Sequence, residues 1–160
     1  ISGIAAPTDP VNTDTTNVIG GQIRLDKNQA LDKNCDGDSA DVGEVAYTTA
    51  NLAALPGECI MYRIVATNEG VSPVTNVFIN DTTPAFTTLF DKVAGTPVTV
   101  TTSTTPTIVG DGTVETINTA PADGGTGGFV VEVGGLNGAQ TATFTFSVKI
   151  DEIPQLYNEK

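Results

Sequence analysis

A chain of 160 residues with seven Lys and Arg against 19 Asp and Glu carries a net charge of −12, which argues against nucleic acid or anionic membrane surfaces as partners. A cation is the more natural ligand. Gly numbers 17, Thr is abundant, there is one Met, and His and Trp are absent, a composition of an extracellular β-protein rather than a cytosolic enzyme.

No run of about 18 apolar residues occurs, so no membrane insertion is expected. The sequence also lacks a basic stretch followed by an apolar one. The expectation is an extracellular or cell-surface protein with its signal peptide already removed, or a piece cut from something larger. Residues 1–20, "ISGIAAPTDPVNTDTTNVIG", hold two prolines and little periodicity. They read as a linker or extended N-terminal arm. In a sharper reading Ile1, Ile4 and Val11 are apolar points of a donor strand that adds to the sheet edge of another copy.

Residues 21–160 are expected to form one domain. "NVIGGQIRLDK" carries Ile23 and Leu25 at strand spacing, and "LDKNCDGDSAD" follows as an acidic loop holding Cys35. "EVAYTT" is strand-like, and "NLAALPGE" is a turn or short helical stretch ending at Pro56-Gly57. In "ECIMYRIVATNEG", Ile60, Tyr62, Ile64 and Ala66 share one face, while Met61, Arg63, Val65 and Thr67 share the other, with Arg63 expected to face water. "TNVFINDTTP" places Val77 and Ile79 together and ends at Pro84.

"TPVTVTTSTTPTIV" and "TVETIN" are short β-branched stretches separated by Gly110-Asp111-Gly112, a hairpin signal. "PADGGTGG" reads as a flexible loop, and "GFVVEVGGL" as a strand. In "TATFTFSVKIDE", Phe144, Phe146, Val148 and Ile150 alternate with Thr143, Thr145, Ser147 and Lys149, giving a core face and a wet one. Seven to nine such strands predict an all-β protein, an Ig-like antiparallel β-sandwich with an extended N-terminal arm.

Cys35 and Cys59 are the only cysteines, too few without His for a structural zinc site. They read as one disulfide closing a loop of about 25 residues, worth roughly 3.5 kcal/mol, in an oxidising compartment. Two free buried thiols are the alternative, although a polar loop is a poor place for one.

The stretch "PGECIMYRIVATNEGVSPVTNVFINDTTPAFTTL" resembles the conserved repeat of prokaryotic surface proteins known as a domain of unknown function. The positions that carry the resemblance are Pro56, Gly57, Tyr62, Ile64, Ala66, Thr67, Asn68, Gly70, Val77, Ile79, Asp81 and Pro84, with Ala66 a mild departure from the usual Val. "DKNCDGD" followed by "PGEC" is similar to a subgroup from large secreted bacterial proteins. The likeness covers residues 22–90 well, and from 91 onward it rests on composition. It implies an Ig-like sandwich on a cell surface, usually one of many copies, with no established catalytic residues.

The acidic loop resembles a calcium-binding pattern. Hard cations take six to eight oxygen ligands, which a short loop delivers by alternating carboxylates around a turning glycine. Asp32, Asn34, Asp36, Gly37 and Asp38 match positions one, three, five, six and seven of an EF-hand loop. Position twelve is Gly43 rather than Glu, and no helix pattern flanks the loop, so Asp41, Glu44 or Asp26 would complete the shell. A solvated acidic loop tied down by the disulfide is the plainer alternative.

No enzyme is expected, because no base for a Ser or Thr nucleophile is evident and acids clustered in one polar loop would stay ionised. Three functions remain: a structural subunit that polymerises with copies of itself into a filament, tube or surface layer, a calcium-dependent adhesion or spacer repeat from a larger surface protein, and a module for cell-surface glycans. The last has little behind it, since only Tyr47, Tyr62 and Tyr157 could offer a tyrosine ring to a sugar. Asn80-Asp81-Thr82 fits a glycosylation acceptor, and the Thr-rich stretch 96–107 suits either O-linked sugars or plain strand.

Overall fold

A computed structural model of the chain describes residues 20–91 and 106–152. The arm with Ile1, Ile4 and Val11, the Thr-rich stretch up to residue 105, and the tail from residue 153 lie outside the described residues. Among those described there is no helix, and nine strands form two antiparallel sheets.

The strands are β1 (Ile23–Asp32), β2 (Val45–Thr48), β3 (Cys59–Asn68), β4 (Val74–Thr82), β5 (Thr87–Leu89), β6 (Thr107–Gly110), β7 (Thr116–Thr119), β8 (Gly128–Leu136) and β9 (Thr141–Ile150). The larger sheet runs β2-β1-β3-β9-β5, with β6 also on β9, and the smaller runs β4-β8-β7. Both sheets present their alternating apolar residues inward, as two-faced strands require. Ile60, Ile64, Ala66, Ala142, Phe144, Phe146 and Val148 meet Val77, Ile79, Phe129, Val131 and Val133 across the interior.

Four rings knit that interior. Phe129 of β8 lies 4.4 Å from Phe146 and 5.4 Å edge-on from Phe144, both on β9. Tyr62 of β3 stacks on Phe146 at 5.1 Å, so the cluster joins the two middle strands of the larger sheet to the middle strand of the smaller.

Asn68 closes one pole. It is fully buried, and a buried amide must find partners. Its Oδ1 accepts the N–H groups of Gln22 and Gly70, while Nδ2 donates to the carbonyls of Ser72 and Leu136. One side chain thereby fastens the chain entering β1, the turn after β3 and the end of β8.

Three expectations need correction. Gly110-Asp111-Gly112 does not close a hairpin: β6 pairs with β9 and β7 with β8, so the segment crosses between sheets. Asp111 still donates to the Thr141 carbonyl, whereas Thr113 and Val114 donate to Gly135 and Val133 of β8. The turn signal marks the change of direction but not the sheet that receives the next strand. The stretch 121–128 is not a loose loop, because backbone bonds link Gly124 and Gly125 to Leu89 and Gly127 to Thr83. Arg63 does not simply face water: its guanidinium lies 4.2 Å over the Tyr47 ring, and its buried Nε has no hydrogen-bond partner.

These observations set two expected losses, both measurable by urea unfolding. Phe129→Ala removes the ring that bridges the sheets and is expected to cost about 3–5 kcal/mol. Asn68→Ala leaves two N–H groups and two carbonyls at the pole without their partner and is expected to cost at least about 2 kcal/mol.

Candidate functional site

The acidic loop begins where β1 ends. Asp32 and Cys59 are cross-strand partners in the β1–β3 register, and the Cys35–Cys59 disulfide, with Cα atoms 5.2 Å apart, holds the loop against the start of β3. The expected pairing of the two cysteines is therefore present. Cys35 adopts a left-handed backbone (φ 57°), and Gly37 follows at φ 98°, a conformation that suits glycine and disfavours other residues.

Most loop oxygens have backbone partners. Asp32 accepts the N–H groups of Asp36 (3.1 Å) and Gly37 (2.9 Å) on its two oxygens. Asn34 accepts from Asp36, Asp36 from Asp38, and Asp38 from Ala40, a succession of side-chain-to-backbone turns. Glu44 reaches back with both oxygens, accepting from Lys33 and Asp41. Asn34 Nδ2 donates to Asp36 and to Asp41.

The structure thus brings Asp32, Asn34, Asp36, Asp38 and Asp41 into one loop, in which each accepts a backbone or side-chain N–H. Among the described residues, no group of three or more His, Cys, Asp or Glu is arranged to hold a metal ion. A carboxylate oxygen that accepts an N–H keeps a second lone pair, so these bonds organise the loop without using up its oxygens. Asp26, suggested as a completing ligand, pairs with Arg24 on the surface strand instead.

Asp32 is the acid of the loop that the fold buries completely. Burial is the largest cause that pushes its carboxyl above the usual value; the Gly37 and Asp36 N–H groups pull it down, and the charges of Asp36 and Glu44 push it up.

A second feature lies on the flank. The residues Ile23, Leu25, Lys27, Gln29 and Leu31 share the inward face of β1, because they pair with Asn68, Ala66, Ile64, Tyr62 and Ile60 of β3. The smaller sheet is too narrow to cover this strand. Leu31 is buried, with Leu52 and Ala54 of the segment after β2 packed against the same core. Gln29 is held by a bond from its Nε2 to the Ala50 carbonyl.

Lys27 reaches across to Asp81 on β4, Nζ to Oδ2 at 2.5 Å, and lies 4.7 Å over the Tyr62 ring. Beyond Lys27 the cover stops. Leu25 is 54% exposed and Ile23 36%. The same stretch lacks an edge partner among the described residues, since β2 pairs with β1 only at Gln29 and Leu31.

The sequence already held the signal for this flank: a Lys and a Gln interrupt an apolar strand face at spacing two. Noting only the strand spacing of Ile23 and Leu25 missed it. Of the tyrosines, Tyr47 is taken up by Arg63 and Tyr62 by Phe146, and Tyr157 is outside the described residues. Comparison with protein-family models, curated proteins and solved structures finds no match to the chain.

The loop geometry generates three expectations. Replacing both cysteines, Cys35→Ser with Cys59→Ser, is expected to lower stability by roughly 3 kcal/mol in denaturant unfolding. Asp32→Asn sets an amide NH2 against a backbone N–H and is expected to cost about 1–3 kcal/mol near neutral pH. The pH dependence follows from the sign of the Asp32 shift. Its folded value lies above the unfolded one, so the native state holds the proton more tightly and this carboxyl adds stability as pH falls through the window above about 4. The stability gap between the wild type and Asp32→Asn should widen from pH 7 toward pH 4. A narrowing gap would show that the two N–H bonds outweigh burial.

Proposed function

We propose that this chain is a secreted structural subunit, a disulfide-clamped Ig-like domain that assembles with copies of itself into an extracellular filament, tube or surface layer by β-strand addition through its N-terminal arm. The observation that carries the reading is the unpaired, partly apolar first half of β1. An exposed regular edge with apolar side chains is a template for another strand, and soluble proteins usually cover or guard such edges. The clamp supports an oxidising location, since disulfides persist where thiols are not kept reduced.

The resemblance of residues 22–90 to a repeat of prokaryotic surface proteins supports the extracellular location. In this reading calcium has a supporting part. The loop is already closed by its own hydrogen bonds, so a bound ion would offset the crowding of Asp32, Asp36, Asp38, Asp41 and Glu44 rather than create the fold.

The test is sedimentation velocity and negative-stain microscopy on the full chain and on the same chain lacking residues 1–15, each in millimolar calcium and after chelation. The expected outcome is large species from the full chain and a folded monomer from the shortened one, with thermal unfolding of the monomer shifted by no more than a few degrees on chelation. Unchanged assembly without residues 1–15 would remove the arm from the mechanism. A full chain that stays at 16.4 kDa in both conditions would instead make it a spacer or adhesion repeat of a longer surface protein.

A further inference from the structure

We infer that the acceptor for the arm is the free edge of β1 at Ile23–Asn28, and that its occupant is residues 11–19 of a second copy; this rests on the strand-addition reading above. The edge is defined by the register. Glu69 N–H donates to the Gln22 carbonyl, and with Ile23 opposite Asn68 this turns the even-numbered residues of β1 toward β3. The N–H and C=O groups of Ile23, Leu25 and Lys27 therefore point away from β3. At Gln29 and Leu31 that outward side is taken by β2. A new strand would continue the line of β2 along the same edge and cover Leu25 and Ile23 from the flank.

The other long edge, β4, is less suited. Its pairing with β8 slips between Val74 and Val77 and again between Val77 and Phe78, and Asn76 has a positive φ of 56°. Such bulges twist an edge away from further pairing. Lys27 sets one limit of the acceptor. An inward-pointing charge ordinarily guards an edge, but here Asp81 already takes it, leaving the apolar stretch on the Ile23 side unguarded.

The occupant is argued from what precedes β1. Residues 11–19, "VNTDTTNVI", contain no proline and are rich in β-branched residues. Nine residues span about 30 Å when extended, enough for the six positions of the acceptor. The segment carries Asp14 as its one charge, and the acceptor's Arg24 and Lys27 are already paired with Asp26, Glu69 and Asp81, so no strong like-charge field opposes the approach.

The same segment folding back on its own β1 would need a tight turn at Gly20-Gly21, and the hairpin turns that suit adjacent strands require positive φ at one or both central residues. Gly21 does not have it, which excludes a type I′ turn there. Gly20 and Gly21 instead run beside Gly70, where an added Cβ would meet the Gly20 carbonyl at 2.4 Å, so the chain enters β1 from the pole.

The test uses proline as an edge block. Leu25→Pro removes an N–H that points away from β3, so the β1–β3 ladder stays whole while the acceptor loses a donor. Asn80→Pro is the control on β4: Thr83 N–H bonds Gly127, which turns the Asn80 N–H away from β8. The expected result in the full chain is a folded monomer for Leu25→Pro, by circular dichroism and sedimentation, with normal assembly for Asn80→Pro.

Wild-type assembly by a folded Leu25→Pro, or loss of assembly in both variants, overturns the choice of β1. If Leu25→Pro does not fold, the pair Val11→Cys with Leu25→Cys decides. A ladder of disulfide-linked multimers on a non-reducing gel supports the second copy, while a cross-linked monomer or no cross-link overturns it. If removal of residues 1–15 abolishes assembly and Leu25→Pro does not, only the acceptor is wrong. If neither affects assembly, the strand-addition reading itself fails.

Discussion

The constraint on which the rest of this structure depends is a mismatch in width. Among the described residues, a sheet five strands across, β2-β1-β3-β9-β5, faces one of three, β4-β8-β7. Three strands at about 4.8 Å spacing cannot cover five, so the interior must be closed on the flank by something other than a strand. The chain closes it in three ways along β1. Leu52 and Ala54 of the segment after β2 pack against the core, Gln29 holds the Ala50 carbonyl, and Lys27 bridges to Asp81 over the Tyr62 ring. At Leu25 and Ile23 none of these remains, and among the described residues apolar surface is left open where the backbone edge is also open. The coincidence of an open face and an open edge is what makes this flank a candidate interface rather than a scattered exposed residue.

The aromatic cluster and the acidic loop keep that flank in place from opposite directions. Phe129, Phe144, Phe146 and Tyr62 fix the spacing of the two sheets, and the lysine that spans the flank rests on the rim of the same cluster. At the far end of β1, Asp32 and the disulfide anchor the loop so that β1 and β3 cannot slip in register. A one-residue slip would turn every inward side chain outward. The loop reaches this rigidity with charged groups because their oxygens accept backbone N–H groups, bonds stronger than neutral ones. Asp32 carries a desolvation penalty for its place, partly offset by two such bonds.

Much of the fold was legible from strict alternation. In β3 and β9 the inward residues Ile60, Ile64, Phe144, Phe146 and Val148 read directly as a core face, because one solvated and one packed face impose a period of two. The disulfide was legible from cysteine count and context. What alternation does not carry is partnership between strands. The crossing at Gly110–Gly112 looked like a hairpin because turn chemistry is local, while the choice of sheet is made by distant packing against β8 and β9. The ligand-like spacing of the acidic loop was equally local: Asp-x-Asn-x-Asp-Gly-Asp suits a cation loop and also a run of side-chain-capped turns, and spacing alone does not choose between them. The open flank was missed for a different reason. Ile23 and Leu25 have core-like chemistry, and their exposure depends on how far the opposing sheet extends.

Charge gives the flank a further significance. Each copy carries −12, so two copies brought together repel through most of their surfaces, and nonspecific edge pairing is opposed at low ionic strength. The first half of β1 is one of the few places where basic groups, Arg24 and Lys27, sit beside an unpaired backbone edge. Both already have acidic partners within the chain, Glu69 and Asp81, so this stretch is locally near neutral rather than positive. A strand approaching it meets less repulsion than at the acidic loop, where five carboxylates face a single lysine between residues 32 and 44. An electrically quiet, apolar edge on an otherwise acidic molecule would guard against promiscuous aggregation and still leave a direction for ordered contact, which is what the strand-addition proposal requires.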